Sequence, residues 1–349
     1  MLAEPLQGKS QTESGVDWSE FLRPAWLARR REEALEPDIP IIDPHHHIWD
    51  VLGYGLSEFL VDLGGGHNVR KTVHLESGLG RNPADPVHLQ PVGETRYLLD
   101  LIDDDRLKQP GAPDVCAGII GDAKLDLPGE LLDEVLHAHV AAGQGRFKGV
   151  RFNGFWHPEI GWRDDTWPGM MEDAAIRSGL SALARHGLVC DVIVFHDQLH
   201  DLARLAAALP DLTFIVNHCG GFLGRTAKHE GFDAAYAVWL DGIAAIASEG
   251  NVRMKLGGLF NDTYSGVQLH LAENPPSSAE VAEAARPFFD PCIERFGAGR
   301  CMFESNYPAD RQQVDYTVLW NAFKRISAGA SADEKASLFS ETARQAYSL

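Results

Sequence analysis

Eight short apolar runs rich in β-branched residues recur along this chain, and helical patterns fill the gaps between them. They cover residues 41–45, Val69–Glu76, Val115–Gly121, Phe147–Asn153, Leu188–His196, Leu212–His218, Val252–Gly257 and Cys301–Ser305. Helical spacing marks Glu94–Leu107, Glu130–Ala142, Ile176–His186, Asp197–Ala208, Phe232–Ser248 and Ala279–Phe296. A capping box, Ser331 with Glu334 three residues on, opens a last helix. Runs apolar on both faces and separated by helices imply parallel strands joined by right-handed crossovers. Eight such units over about 270 residues predict a single (β/α)8 TIM barrel of the α/β class. An open doubly wound sheet fits less well, because no Gly-x-Gly-x-x-Gly follows the first strand.

The barrel is expected to occupy residues 38–349, with residues 1–37 as an N-terminal extension. Residues 1–16 are polar and aperiodic, the signature of a disordered segment. Over Trp18–Leu35, Trp18, Phe21, Leu22, Trp26 and Leu27 recur near helical spacing, with a break at Pro24, which predicts a helix. A net charge of −19 argues against nucleic-acid phosphates or an anionic membrane surface as partners. Cys116, Cys190, Cys219, Cys292 and Cys301 are odd in number and lack paired spacing, so they read as reduced core thiols. No signal peptide opens the chain and no run reaches membrane-spanning length, which points to the cytoplasm. The expected partner is a small, anionic substrate; a homodimer is left open.

In barrels of this kind the working groups stand at the C-terminal ends of strands. The first strand ends in Asp43-Pro44-His45-His46-His47. Strand alternation puts Asp43, His45 and His47 on one face and His46 on the other. Two imidazoles side by side at a strand mouth can chelate a borderline-soft ion such as zinc. Later strands end in Glu76, in Arg151 and Asn153, in His196, in His218, in Lys255, and in Glu304 and Asn306. A histidine after an apolar run is more often a hydrogen-bonded core residue, but four of them at strand ends favour a site. Arg151 suits either a substrate carboxylate or a salt bridge at the rim. Trp49, Trp156 and Tyr307 are candidate pocket walls. His88, His137, His139, His186, His200 and His270 fall on loops or helices and read as surface residues.

Several of these segments together resemble the amidohydrolase superfamily. They are Ile42-Asp43-Pro44-His45-His46-His47-Ile48-Trp49-Asp50, Pro91-Val92-Gly93-Glu94, Phe147-Lys148-Gly149-Val150-Arg151, His196-Asp197-Gln198-Leu199, Asn217-His218-Cys219-Gly220-Gly221, Lys255-Leu256-Gly257-Gly258-Leu259 and Met302-Phe303-Glu304-Ser305-Asn306-Tyr307-Pro308. The closest likeness is to the branch of metal-dependent hydrolases that includes sugar lactonases and the pyrone dicarboxylate lactonase. The resemblance implies that His45, His47 and His196 are metal ligands, with His218 as a ligand or acid/base. It also implies a divalent metal, zinc before manganese, although some lactonases of this group work without one.

One departure matters. The superfamily usually ends its eighth strand with Ser-Asp-Tyr/Trp-Pro, whose Asp activates water; here Asn306 stands in that place. An amide takes no proton at neutral pH, so the base must lie elsewhere. Glu304, on the same strand face, and Glu76 are the candidates, with Asn306 left as a neutral hydrogen-bond donor in the catalytic set, and Glu76, Arg151 and Tyr307 are the candidates for substrate contact. The expectation is a metal-assisted hydrolase that opens a lactone of a small carbohydrate or aromatic-catabolic acid. A decarboxylase and a barrel that binds a ligand without turnover are the alternatives.

Overall fold

Each apolar run holds a strand: β1 Ile41–His46, β2 Val69–Leu75, β3 Asp114–Gly121, β4 Phe147–Asn153, β5 Val189–Ile193, β6 Phe214–Val216, β7 Val252–Leu256 and β8 Cys301–Phe303. The computed structural model describes residues 22–158, 163, 165–224, 231–261 and 265–349. The strands pair in chain order, every neighbour parallel. A parallel bridge between His46 and Tyr307 joins the two ends of the ring. Beside it Asn306 N–H donates to His45 O at 2.9 Å, and His47 N–H donates to Tyr307 O at 2.7 Å. The fold is a TIM barrel, with active groups expected at the C-terminal strand ends.

Several strands end sooner than their apolar runs, β5 and β6 among them. β5 stops at Ile193 because His196 opens a tight turn, His196–Gln198. β6 stops at Val216, since His218 and Cys219 take left-handed backbone with φ of 56° and 52°. The polar residues at these ends leave the ladder and so become free to aim side chains across the mouth.

The crossover helices are α2 Leu56–Leu63, α3 Val92–Ile102, α4 Gly129–Gly143, α5 Ala174–Arg185, α6 Leu199–Ala208, α7 Phe232–Ala247, α8 Ser278–Phe296 and α9 Tyr316–Ile326, preceded by a four-residue α1, Pro24–Leu27. Their inner faces bury residues such as Leu98, Leu132, Leu180, Leu202, Ile243, Phe289 and Phe323 against the outer faces of the strands. Full burial of one such side chain stabilises the fold by about 1.5–3 kcal/mol. A second core, Ile42, Val73, Leu75, Ile120, Ile215 and Met302, fills the barrel interior. It is sealed by Ala343 and Tyr347 from the last turns, α10 Ala332–Ala336 and α11 Thr342–Ala346. Lys148, at the start of β4, donates to Ser348 O. The C-terminus therefore plugs the end of the barrel away from the strand mouths.

Two local expectations are corrected. The helix expected over Trp18–Leu35 is confined, among the described residues, to Leu22 and Pro24–Leu27; Trp18 and Phe21 lie outside them. Beyond Leu27 the sequence turns charged and offers no apolar stripe. Its carbonyls are taken from outside instead: Glu33 O by Asn321, and Leu35 O and Glu36 O by the Lys324 ammonium. The result is a strap along α8 and α9. The expected face-sharing of Asp43 with His45 also fails, because the β1 register shifts between Asp43 and His46. This bulge adds one residue to the alternation. Asp43 turns outward to Tyr316 Oη at 3.0 Å, whereas His45 turns into the barrel.

Candidate active site

Glu304 is the centre of the mouth. Its side chain is fully buried, and Oε1 accepts the His218 N–H at 3.0 Å and His218 Nδ1–H at 2.7 Å. Oε2 lies 2.6 Å from His45 Nδ1 and 4.0 Å from Lys255 Nζ. Burial pushes the Glu304 carboxyl up, but the His218 and His45 charges and hydrogen bonds outweigh it and hold the group well below the usual carboxylate range. Burial, with the nearby Lys255 and His218 charges, holds His45 well below its ordinary value despite Glu304. Glu304 is therefore an ionised carboxylate lying against a neutral imidazole.

That contact has a consequence at the other ring nitrogen. At 2.6 Å two lone pairs cannot face each other, so His45 Nδ1 carries the proton and Nε2 is bare. His47 Nδ1 sits 2.9 Å from Leu75 O, which only accepts, so His47 Nε2 is bare as well. These two nitrogens face each other at 3.2 Å. Two ligands on one tetrahedral zinc at about 2.0–2.1 Å would be about 3.3–3.4 Å apart. Burial disfavours protonating either ring. The pair thus fits a metal ion, and Glu304 Oε2, which has no aligned hydrogen-bond donor, adds a nearby negative charge. His45, His218 and Glu304 also form a group whose ligand atoms lie within 4.8 Å of one another.

The other sequence candidates take different places. His196 is buried against Phe222 and is not part of that group. Its Nδ1 accepts the Leu223 N–H at 3.3 Å, so in the neutral ring Nε2 holds the proton. Burial, with the His157 charge, lowers it to about 4. Arg151 spends its fork on Glu76, Nε at 3.0 Å and Nη2 at 2.7 Å from Oε1, where Asn153 also donates at 3.3 Å. Burial pushes Glu76 up, but Arg151 pulls it down further, so it stays ionised and engaged. Tyr307 is fully buried between Tyr54 and Tyr316, its hydroxyl donating to Val314 O. Trp49 stacks on His47, with ring centroids 5.2 Å apart. His139, expected at the surface, is buried on Phe147 and bonded to Thr95 Oγ1 at 2.8 Å.

Asn306 donates from Nδ2 to Asp310 Oδ1 at 2.8 Å. Asn261 adds a bond to the same oxygen, and Phe260 N–H donates to Oδ2. Burial nevertheless pushes Asp310 up to about 7, against the charge of His218 and these hydrogen bonds. Beneath the centre, Lys255 Nζ contacts Asp191 Oδ1 at 2.6 Å, and Asp191 also receives Asn217 and Tyr347.

The amidohydrolase family model matches residues 42–349, nearly the whole chain. The chain belongs to the amidohydrolase family. It is 30% identical over 336 residues to the uncharacterized protein y4mH of Sinorhizobium fredii, covering 89% of this chain and 99% of that one. It is 23% identical over 278 residues to the L-fucono-1,5-lactonase of Burkholderia ambifaria, covering 77% and 81%. Among solved structures, a zinc-bound amidohydrolase from Burkholderia multivorans superposes with a TM-score of 0.64 at 23% identity, covering 88% of this chain and 99% of that one. A manganese complex of 5-carboxyvanillate decarboxylase from Novosphingobium aromaticivorans gives 0.54 at 14%, covering 90% and 97%. At such identities the structures establish the shared barrel and no more.

In this amidohydrolase, two acidic residues escaped the sequence reasoning. Asp191 lies inside an apolar strand run, where a lone carboxylate already signals a buried partner. Asp310 carries no such mark: it reaches the site only because a turn of helix after Pro308 folds it back under Asn306.

Proposed function

We propose that this amidohydrolase is a metal-assisted lactonase that opens a cyclic ester of a small carbohydrate or aromatic-catabolic acid. The observation that carries the reading is the pair of bare imidazole nitrogens, His45 Nε2 and His47 Nε2, set beside a Glu304-anchored His218. The 23% identity to a fucono-lactonase supports the substrate class. A divalent ion, zinc or manganese, would be held by His45 and His47. When bound, it supplies charge that polarises an ester carbonyl and favours deprotonation of water. His196 would join only after giving up its Nε2 proton, since Leu223 occupies Nδ1.

His218 is the general acid/base. Glu304 fixes the proton on Nδ1, which makes Nε2 the basic nitrogen. That nitrogen takes a proton from water as it attacks the carbonyl and returns it to the alkoxide that leaves when the ring opens. Glu304 orients His218 and stabilises the imidazolium formed in between, as a carboxylate does in a catalytic triad. A cavity of about 330 Å³ beside Arg151 and Asn153 has the size for a small ligand, and its wall balances Lys124, Arg151 and Arg163 against Asp122, Asp126 and Asp165. Arg151 arrives there already paired with Glu76, so it positions the wall and shares its charge.

The test is a panel of aldonolactones and pyrone carboxylates, followed by acid release, on the wild type and on His218→Ala. Ring opening that depends on His218 is the expected result. Carbon dioxide release from aromatic or pyrone acids without lactone opening would overturn the reading in favour of a lyase. Binding of the panel without turnover of any member would overturn it in favour of a binding barrel.

A further inference from the structure

On the outer face of the strands, opposite to the face that carries His45 and His47, His46, His74 and Cys116 stand on three adjacent strands. Their register explains the meeting. His46 pairs directly with His74, and β3 carries extra residues between its Asp114 and Gly118 pairings with β2. At that bulge Cys116 takes left-handed backbone, φ 52°, which non-glycine residues rarely adopt without a reason. One ring nitrogen of each histidine and the Cys116 sulfur lie within 4.8 Å of one another, and all three residues are fully buried.

One nitrogen of each ring is not otherwise employed. His74 Nε2 faces Glu94 Oε1 at 3.2 Å, and Glu94 also accepts the N–H groups of Ser77 and Gly78, so His74 donates from Nε2 and its Nδ1 is bare. His46 Nε2 pairs with Thr72 Oγ1 at 2.9 Å. His46 Nδ1 and His74 Nδ1 are both buried without a hydrogen-bond partner. An imidazole that gives one N–H to a carboxylate and holds the other nitrogen bare is the usual state of a metal-ligating histidine. An unpaired buried polar group costs about 1–3 kcal/mol, and each of these two histidines carries one.

We propose that His46, His74 and Cys116 form a second, structural zinc site, separate from the centre in the mouth. The donor set is two imidazoles and a thiolate, which suits a borderline-soft ion. As the zinc–sulfur bond forms, the Cys116 thiol gives its proton to solvent. The dication then balances the thiolate and the Glu94 carboxylate, so the dry core carries no net charge there. Ligand atoms on zinc sit about 2.0–2.3 Å from the ion, so the three groups close inward by about an ångström on binding. With Phe59 stacked on His46 at 4.3 Å, the ion would tie β1, β2 and β3 beneath α2.

Sulfur separates the two sites. The group around His45 holds no cysteine, and Cys219, next to His218, points its sulfur at Gly257 O. Purified protein saturated with zinc should carry about two equivalents, and Cys116→Gly about one. Glycine accepts φ 52° without strain, so this variant removes the ligand and relieves the backbone. The cobalt-substituted wild type should show near-ultraviolet thiolate-to-cobalt absorption that Cys116→Gly lacks. His46→Phe keeps the stack on Phe59 and should lose the same absorption, which covers a Cys116→Gly protein that does not fold. A cobalt protein without thiolate absorption, or equal zinc content in the wild type and both variants, overturns the proposal. Neither result bears on the lactonase reading, which is measured by ring opening.

Discussion

Glu304 lies against two histidines, and each close contact fixes a tautomer. Replacing it with Gln keeps the shape but can turn an amide N–H₂ toward an imidazole N–H, donor against donor. His218 would then shift its proton to Nε2 and lose its basic nitrogen. Glu304→Gln should cut kcat by about 10²–10⁴, the range for a general acid–base function, with KM little changed. Steady-state kinetics on an active lactone decide this; a variant near wild-type turnover would remove Glu304 from the chemistry. Asn306 is the opposite case, a departure that the surroundings require. Its amide donates to Asp310 Oδ1 at 2.8 Å, and Asp310 is already pushed up to about 7. Asn306→Asp, which restores the usual family residue, sets two carboxyls at that distance, and like charges so close raise one pKa further. The folded protein then holds a proton that the unfolded chain releases, so stability falls as pH rises. Asn306→Asp should give no gain in turnover and a Tm deficit larger at pH 8 than at pH 6. Exchanging the pair in Asn306→Asp/Asp310→Asn should return most of the loss. A Tm deficit independent of pH would mean that the carboxyls do not meet.

At the scale of elements, the site is held by what approaches it. Gly257 and Gly258 follow β7, and a Cβ on Gly257 would overlap Glu304, while one on Gly258 would overlap the His218 ring. Gly258 also sits at φ +67°. Gly258→Ala should therefore push His218 off Glu304 and lower kcat by at least about tenfold, the lower part of an acid–base loss, while the barrel still folds. Kinetics beside circular dichroism check it, and unchanged turnover would show that His218 has room to spare. The plug at the far end reaches the same network through Tyr347, whose hydroxyl meets Asp191 Oδ2 at 2.8 Å. These contacts mark where sequence reasoning stops. The barrel was legible because two-faced apolar runs have one economical arrangement, and Glu304 was legible because a carboxylate two residues from the strand end shares a known face. The Gly-Gly motif was visible, but its purpose was not, since a missing Cβ takes meaning only from the neighbour that fills the space. Asp43 misled because a bulge inside Asp43–His46 leaves no trace in the alternation. The strap over residues 28–37 misled because its shape is set by Asn321 and Lys324, nearly 300 positions away.

Over the whole molecule, buried titrating groups pull stability in opposite directions. Burial lowers His67, His139 and His196 to about 4, and holds His45, His46 and His47 well below their ordinary value. In the unfolded chain each imidazole binds its proton near pH 6.5. Between about pH 4 and 6.5 the unfolded chain binds more protons through these groups, so they make stability rise with pH. Burial raises Asp43 and Asp62 to about 6 and Asp310 to about 7. Those carboxyls keep their protons in the fold after the unfolded chain has lost them near pH 4, so they make stability fall with pH over the same window. Burial raises Asp50 and Asp122 too, so six imidazoles oppose five carboxyls among the described residues, and the imidazole side prevails. A metal at His45 and His47 competes with protons and adds to the same sign. Tm should climb from pH 4.5 to about 6.5, then flatten or dip slightly as Asp310 finishes titrating near 7. Calorimetric scans of the full chain across that range give the slope directly. A Tm that falls from pH 4.5 to 6.5 would mean that the carboxyls govern, and that the buried histidines carry protons the fold has no room to solvate.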